Sequence, residues 1–194
     1  MALKIDLRAF TPEDEQAVLD LFAACEDWFV AATGQPSGPG EVQSMYYALP
    51  PGCDPEQKRL LLVEAEGEVI GLVDAVLGHP DPQTCAVGCY LLAPRWRRRG
   101  IGGAVAASLL SAVPDVRRVT AALAPGWAPG AAFLRATGFR VARTPGVSVG
   151  DRNAGPAERA ALRAELDVRS FCAADAADRG LVVSRPDTGG PTAV

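Results

Sequence analysis

The sequence predicts a single α/β (α+β) domain in which a central sheet is flanked by helices, and three observations carry that prediction. Apolar spacing switches repeatedly between a period of 2 and a period of 3.6 along the chain, as it does when strands alternate with helices. Residues 68–77 are apolar on both faces, through Val69, Val73 and Leu77 on one and Ile70, Leu72 and Val76 on the other, which marks a central strand covered on both sides. A strand-like run at 84–92 passes through a basic, Gly-rich turn into a helix-period segment at 100–113. At 194 residues the chain is long enough to bury well over half of its unfolded surface, and 48% hydrophobic with 22% charged residues is an ordinary globular composition.

Taken in order, Leu3 to Ala9 alternates as an edge or half-buried strand does. Thr11 is the expected N-cap of a helix that has Pro12 in its first turn and acids where the macrodipole favours them. Val18, Leu19, Leu21, Phe22, Cys25 and Phe29 carry its apolar stripe to a stop before Gly34. A Pro/Gly loop, a short helix at 41–49 and a second loop follow. Residues 60–65 and 68–77 around Glu66-Gly67 read as a β-hairpin, with Asp74 interrupting the second, apolar strand. The strand at 84–92 is stopped by Pro94 and the helix at 100–113 by Pro114. A strand at 116–123, a short helix at 131–137 stopped by Gly138, and a strand opening at Phe139 come next. Residues 144–156 read as loop and 157–178 as helix, so that 144–180 is a helical insertion; 181–184 can supply a last strand. The domain spans 1–185, and 186–194 is expected to be a mobile tail.

Composition excludes several classes. Five cysteines, at 25, 53, 85, 89 and 172, show no paired spacing, so free thiols in a reducing compartment are expected. His79, Cys85 and Cys89 lack a CxxC pair and a fourth ligand, and no metal is expected. A net charge of −4 argues against nucleic acid as a general partner and favours a cationic amine. No apolar run approaches membrane-spanning length and the N-terminus has no signal-peptide core, so the expectation is a cytoplasmic protein without a membrane partner.

The informative segment runs from Tyr90 to Ala104, a strand followed by Arg97, Arg98, Arg99 and a helix that opens with Gly100, Ile101, Gly102 and Gly103. The first N–H groups of a helix have no internal acceptor and lie at its positive end, and glycines there let phosphate oxygens come close. Three arginines add charge at the same point. Gly-Lys-Ser/Thr is missing, so this is not a nucleoside-triphosphate loop, and the dinucleotide pattern is incomplete, with Val-Thr-Ala-Ala-Leu where its acid should stand at 119–123.

Arg97-x-x-Gly100-x-Gly102 resembles the Gln/Arg-x-x-Gly-x-Gly/Ala signature of the GNAT acetyltransferases, with Pro94 and Trp96 in the family's Pro-x-aromatic positions, and Leu134 to Phe139 resembles its short helix ending in Gly-Phe. The resemblance covers most of the chain. It implies the GNAT fold, a mixed, mostly antiparallel sheet in which the strands at 84–92 and 116–123 splay to admit the pantetheine arm of acetyl-CoA. It further implies that main chain at Leu91 and Leu92 pairs with that arm, and that residues 97–103 hold the pyrophosphate. The activity implied is acetyl transfer to the amine of a small molecule or peptide, by a monomer or homodimer. The chain departs from the family at Leu134, where many members have a tyrosine that protonates the leaving thiolate, at Trp127, where many have Asn, and at 84–92, which has no carboxylate.

An attacking amine must be neutral, so a base or water chain must accept a proton near neutral pH. His79, the only histidine, and Asp74, in an apolar strand, are the candidate bases; Tyr90 and Cys89 lie near the expected slot. Glu26, Asp27, Trp28, Tyr46 and Tyr47 are candidates to shape the acceptor pocket. A non-catalytic acyl-CoA-binding or regulatory module is the alternative that the missing Tyr and Glu leave open.

Overall fold

The computed structural model describes residues 2–124, 126–143, 162–172 and 180–184. Its strands are β1 (Leu3–Ala9), β2 (Lys58–Ala65), β3 (Glu68–Leu77), β4 (Thr84–Leu92), β5 (Arg118–Leu123), β6 (Arg140–Arg143), β7 (Leu162–Asp167) and β8 (Leu181–Val183). Its α-helices are α1 (Glu15–Ala24), α2 (Glu26–Thr33), α3 (Glu41–Tyr47), α4 (Ile101–Ala112) and α5 (Ala128–Ala136). The strands form one sheet in the order β6-β7-β5-β4-β3-β2-β1-β8. The pairs β4–β5 and β1–β8 are parallel and every other pair is antiparallel, so the sheet is mixed and mostly antiparallel, as expected. No described helix is long and apolar enough to cross a membrane.

The centre of the sheet is apolar because β2, β3 and β4 have helices over them: Leu62, Val63, Ile70 and Leu72 are fully buried together with Val18 and Phe22 of α1 and Ile101 and Val105 of α4. A second cluster, Ala75, Cys85, Val119 and Leu166, packs under Leu110 and Val113 at the far end of α4.

Two elements differ from the sequence expectation. The first helix is broken rather than continuous to Gly34. Pro12–Asp14 is a 3-10 turn, and the chain bends again at Cys25, which is fully buried and directs its thiol to Leu92 O at 3.5 Å. The stripe at 18–29 is therefore carried by two helices set against one core. The segment expected to be helical at 157–178 contains β7 instead. Leu162, Ala164 and Leu166 alternate with Arg163, Glu165 and Asp167, so these residues fit period 2 as well as a helix stripe. The exposed edge of β5 decides between them: β7 pairs antiparallel with it from Arg118↔Asp167 to Leu123↔Leu162 and buries Ala164 and Leu166. The expected loop at 144–156 and tail at 186–194 lie outside the described residues.

Two features of the ladder position the site. Register shifts between Asp74 and Ala75, so that Cys89 opposes the former and Val87 the latter, leaving Gly88 as the extra residue of a β-bulge. The β4–β5 ladder runs only from Thr84↔Arg118 to Val87↔Ala121; beyond it β4 continues to Leu92 without β5, and the strands part.

Gly138 closes α5 with φ at +95°, and a Cβ there would meet Ser170 O at 2.3 Å. Gly138→Ala is expected to cost about 2–4 kcal/mol in urea unfolding, from backbone strain plus displacement of the Ser170 segment. Gly67→Ala, at φ +80° with open space around it, is expected to cost only about 1–2 kcal/mol, the strain alone.

Candidate functional site

The chain leaves β4 through Ala93 and a 3-10 turn, Pro94–Trp96, whose Trp96 is buried and stacked 5.0 Å beneath the Arg99 guanidinium. Arg98 then takes a left-handed conformation, φ +65°, and Gly100 a second one, φ +84°, which swings the chain into α4. No N-cap side chain satisfies the first turn of α4, so its amides at Ile101, Gly102 and Gly103 are left without a capping acceptor at the positive end of the helix. Arg98 and Arg99 are exposed beside it and form no ion pair among the described residues.

Arg97 is held differently. Its Nε donates to Leu92 O at 2.7 Å, its two terminal nitrogens grip the Asp27 carboxylate at 2.5 and 3.2 Å, and its Cζ lies 5.4 Å from the centre of the Trp127 ring. One guanidinium thus ties together the start of α2, the end of β4 and the start of α5. Asp27, considered for the acceptor pocket, is the partner in that clamp. Among the others considered with it, Trp28 is half-buried, Tyr46 packs on Phe10, and Tyr47 is 76% exposed.

Beyond the parting point, the main chain of β4 has two kinds of residue. Ala93 N–H donates to Ile70 O, so by antiparallel alternation Leu91 and Cys89 direct their polar groups to β3, whereas those of Leu92 and Tyr90 face the side that β5 has left. That side opens on an apolar slot of about 190 Å³, walled by β4, β5, α4 and α5 and including Val87, Tyr90, Leu109, Ala121, Phe133 and Leu134. Gly102 lies against the same wall, since a Cβ on it would be 3.1 Å from Phe133.

A larger cleft of about 600 Å³ opens on the other face of the sheet, among Lys58, Asp74, His79, Ala86, Thr120 and Arg163. Pairing confirms the two faces: Val73, Ala75, Cys85, Val87, Val119 and Ala121 alternate with Asp74, Val76, Ala86 and Thr120 along the same strands. Slot and cleft share Val87, Gly88, Ala121 and Ala122, the residues at which β4 and β5 separate. The two cavities therefore approach each other from opposite faces where the β4–β5 pairing stops.

Asp74 stands at this opening. Its Oδ2 is 3.1 Å from the place a Cβ on Gly88 would take, so a larger residue there would press on the carboxylate. Oδ1 lies 2.8 Å from Lys58 Nζ, an ion pair between two buried residues, but the ammonium aims its hydrogen bond at Ala48 O, also at 2.8 Å. Oδ1 has the charge of Lys58 close by, at an angle that leaves it outside hydrogen-bond geometry. Burial raises the Asp74 pKa above the usual carboxylate range, and Lys58 opposes only part of that rise.

Of the other proton-transfer candidates, His79 lines the same cleft with Nδ1 3.4 Å from Cys53 Sγ. Tyr90 faces the slot, but its hydroxyl donates to Gly102 O at 2.6 Å, and burial pushes the phenol far above its ordinary pKa. Burial likewise raises the thiol of Cys89. Leu134, in the position of the family's tyrosine, is a buried part of the slot wall. Lys58, Gly88 and Arg163 were not legible as site residues, because only strand pairing brings them beside Asp74 or opposite it.

The acetyltransferase (GNAT) family profile matches residues 18–139. No curated protein sequence matches significantly. Among solved structures, the fold is similar to an acetyltransferase from Thermus thermophilus, with a TM-score of 0.68 and 20% identity over 87% of this chain and 100% of that one. It is also similar to the aminoglycoside acetyltransferase AAC(6')-Ib in complex with coenzyme A, with a TM-score of 0.60 and 18% identity over 86% and 96%. The ribosomal-protein-S18-alanine N-acetyltransferase from Escherichia coli gives a TM-score of 0.58 and 14% identity over 84% and 94%. With its family signature at the amide-rich start of α4 and its sheet open between β4 and β5, the chain belongs to the acetyltransferase (GNAT) family.

Proposed function

We propose that the protein transfers the acetyl group of acetyl-CoA directly to a primary amine through the opening between β4 and β5. The observation that supports this reading is the meeting of an apolar slot and a polar cleft from opposite faces at Gly88 and Ala122, beside a buried carboxylate. In this reading the slot takes pantetheine, with the outward main-chain groups of Leu92 and the adjoining strand at Leu91 alongside it. The amides of Gly100, Ile101, Gly102 and Gly103, with Arg98 and Arg99, hold the pyrophosphate. Arg97 shapes the mouth by fixing Leu92 and α5.

The amine enters from the cleft. Its lone pair attacks the thioester carbonyl, the C–S bond breaks as the amide bond forms, and the proton lost by nitrogen passes to Asp74, directly or through water. Leu92 N–H faces the carbonyl oxygen and polarises it. His79 is the second proton acceptor on the cleft wall. Leu134 offers no proton to the leaving thiolate, and the Tyr90 hydroxyl is committed to Gly102 O, so Tyr90 acts by holding the first turn of α4 against β4. Catalysis then rests on positioning and on removal of one proton.

Incubation with acetyl-CoA and a panel of primary amines is expected to release free thiol in an amine-dependent way; thermal stabilisation by acetyl-CoA without thiol release from any amine would assign a binding module instead. Asp74→Asn is expected to lower kcat/KM by about 10²- to 10⁴-fold while acetyl-CoA still binds. Desolvation keeps Asp74 protonated at a pH where an ordinary aspartate, of pKa about 4, is ionised, so the wild-type rate should fall on the acid side starting above that range. That acid limb should vanish in Asp74→Asn; its persistence would remove Asp74 as the base. Gly102→Leu should weaken acetyl-CoA at least about tenfold, read by calorimetry on the folded protein, and lower the melting temperature as Phe133 is displaced. Tyr90→Phe should cost about 0.5–1.5 kcal/mol of stability for the lost hydrogen bond and leave the pH profile in place.

A further inference from the structure

Resting on that reading, the lining of the cleft narrows the acceptor. Asp74 is the only carboxylate among the described residues that line it, and its charge is already offset by Lys58 at 2.8 Å. The next acid on that face, Glu165 opposite Thr120, is held by Arg118 at 3.5 Å. The opposite wall carries a cation. Arg163, on β7, lines the cleft and has no ion pair among the described residues, whereas Arg118, four residues from Ala122 on β5, is taken up by Asp81 and Glu165.

Register puts these groups in one row. Asp74 stands beside the bulged Gly88; Val87 pairs with Ala121, which brings Gly88 level with Ala122; and Ala122 pairs with Arg163. All four lie on the cleft face, where the two residues between the charges, Gly88 and Ala122, leave a floor without bulk. Three strand steps of about 4.8 Å separate Asp74 from Arg163, or about 14 Å between Cα atoms before the splay widens it. A side chain as long as arginine reaching across Ala122 reduces that span to the size of a compact amino acid.

We infer that the acceptor is a small primary amine that also carries a carboxylate, with the amine at Asp74 over the opening and the carboxylate on the Arg163 guanidinium. The planar fork suits that group, and binding it fixes the distance at which the nitrogen meets the carbonyl. Arg163 is thus a specificity residue.

The test uses the full chain saturated with CoA or acetyl-CoA, and the probes glycine, β-alanine, 4-aminobutyrate and 6-aminohexanoate, each beside its carboxamide. At least one free acid is expected to raise the melting temperature of the CoA-loaded protein, and to be acetylated with kcat/KM about 10- to 100-fold above its amide, the range of a charge-assisted hydrogen bond. Arg163→Glu should abolish that preference and Arg163→Lys should keep part of it. Amides that match or exceed the acids, acids that do not stabilise the protein, or a preference that survives Arg163→Glu would each overturn the inference. Thiol release with amides as readily as with acids would do so while leaving acetyl transfer intact. Stabilisation by acids with no thiol release from either series would instead sink the catalytic reading and leave the anion site standing.

Discussion

The interruption of hydrogen bonding between β4 and β5 is the constraint from which the site follows. A sheet this size ordinarily pairs its interior strands along their length, because unpaired main-chain polar groups away from water are costly. Here the ladder stops at Val87↔Ala121, and the groups of Leu92 and Tyr90 that would have continued it face an apolar slot. The cost is contained by neighbours that supply partial substitutes: Arg97 and Cys25 both donate to Leu92 O. β5 recovers a full partner on its other edge in β7, which pairs through Leu123. The opening is thus held from both sides rather than being a frayed end.

The same region holds a costly electrostatic arrangement. Asp74 and Lys58 are both buried, and a buried ion pair recovers its desolvation cost only with well-aligned hydrogen bonds. Lys58 has one, to Ala48 O; Asp74 Oδ1 does not. A carboxylate held so is a poor contribution to stability and a good proton acceptor, since burial has already raised its pKa. The bulge is what allows it, because an ordinary residue in place of Gly88 would put a Cβ against Oδ2. Tyr90 shows the opposite balance: a single strong hydrogen bond to Gly102 O locks strand to helix and takes the phenol out of acid–base chemistry.

Apart from the break between α1 and α2, the strands and helices up to Ala112 were legible because each one's apolar period admits one reading, and the turn into α4 stood out because glycines and arginines are concentrated at a strand-to-helix junction. Where two readings fit equally, distant partners decided. Residues 162–167 satisfy a helix stripe and a strand alternation, and the free edge of β5 selected the strand. The stripe at 18–29 fits one helix, and the contact of Cys25 with Leu92 O broke it in two.

The amino-acid sequence alone determined the fold class, the order of most elements, the glycine- and arginine-rich turn into α4 and the candidacy of Asp74 and His79, since these depend on neighbours in the chain. Tertiary structure decided that Arg97 clamps Asp27 and Leu92, that Tyr90 is spent on Gly102, and that Lys58, Gly88 and Arg163 share a row or a cleft with Asp74. Apart from the bond of Arg97 to Leu92, five residues away, those relations span about 10 to 90 residues of chain and exist only once the strands are in register. Register is set by summed burial across the whole sheet, and no local spacing records it.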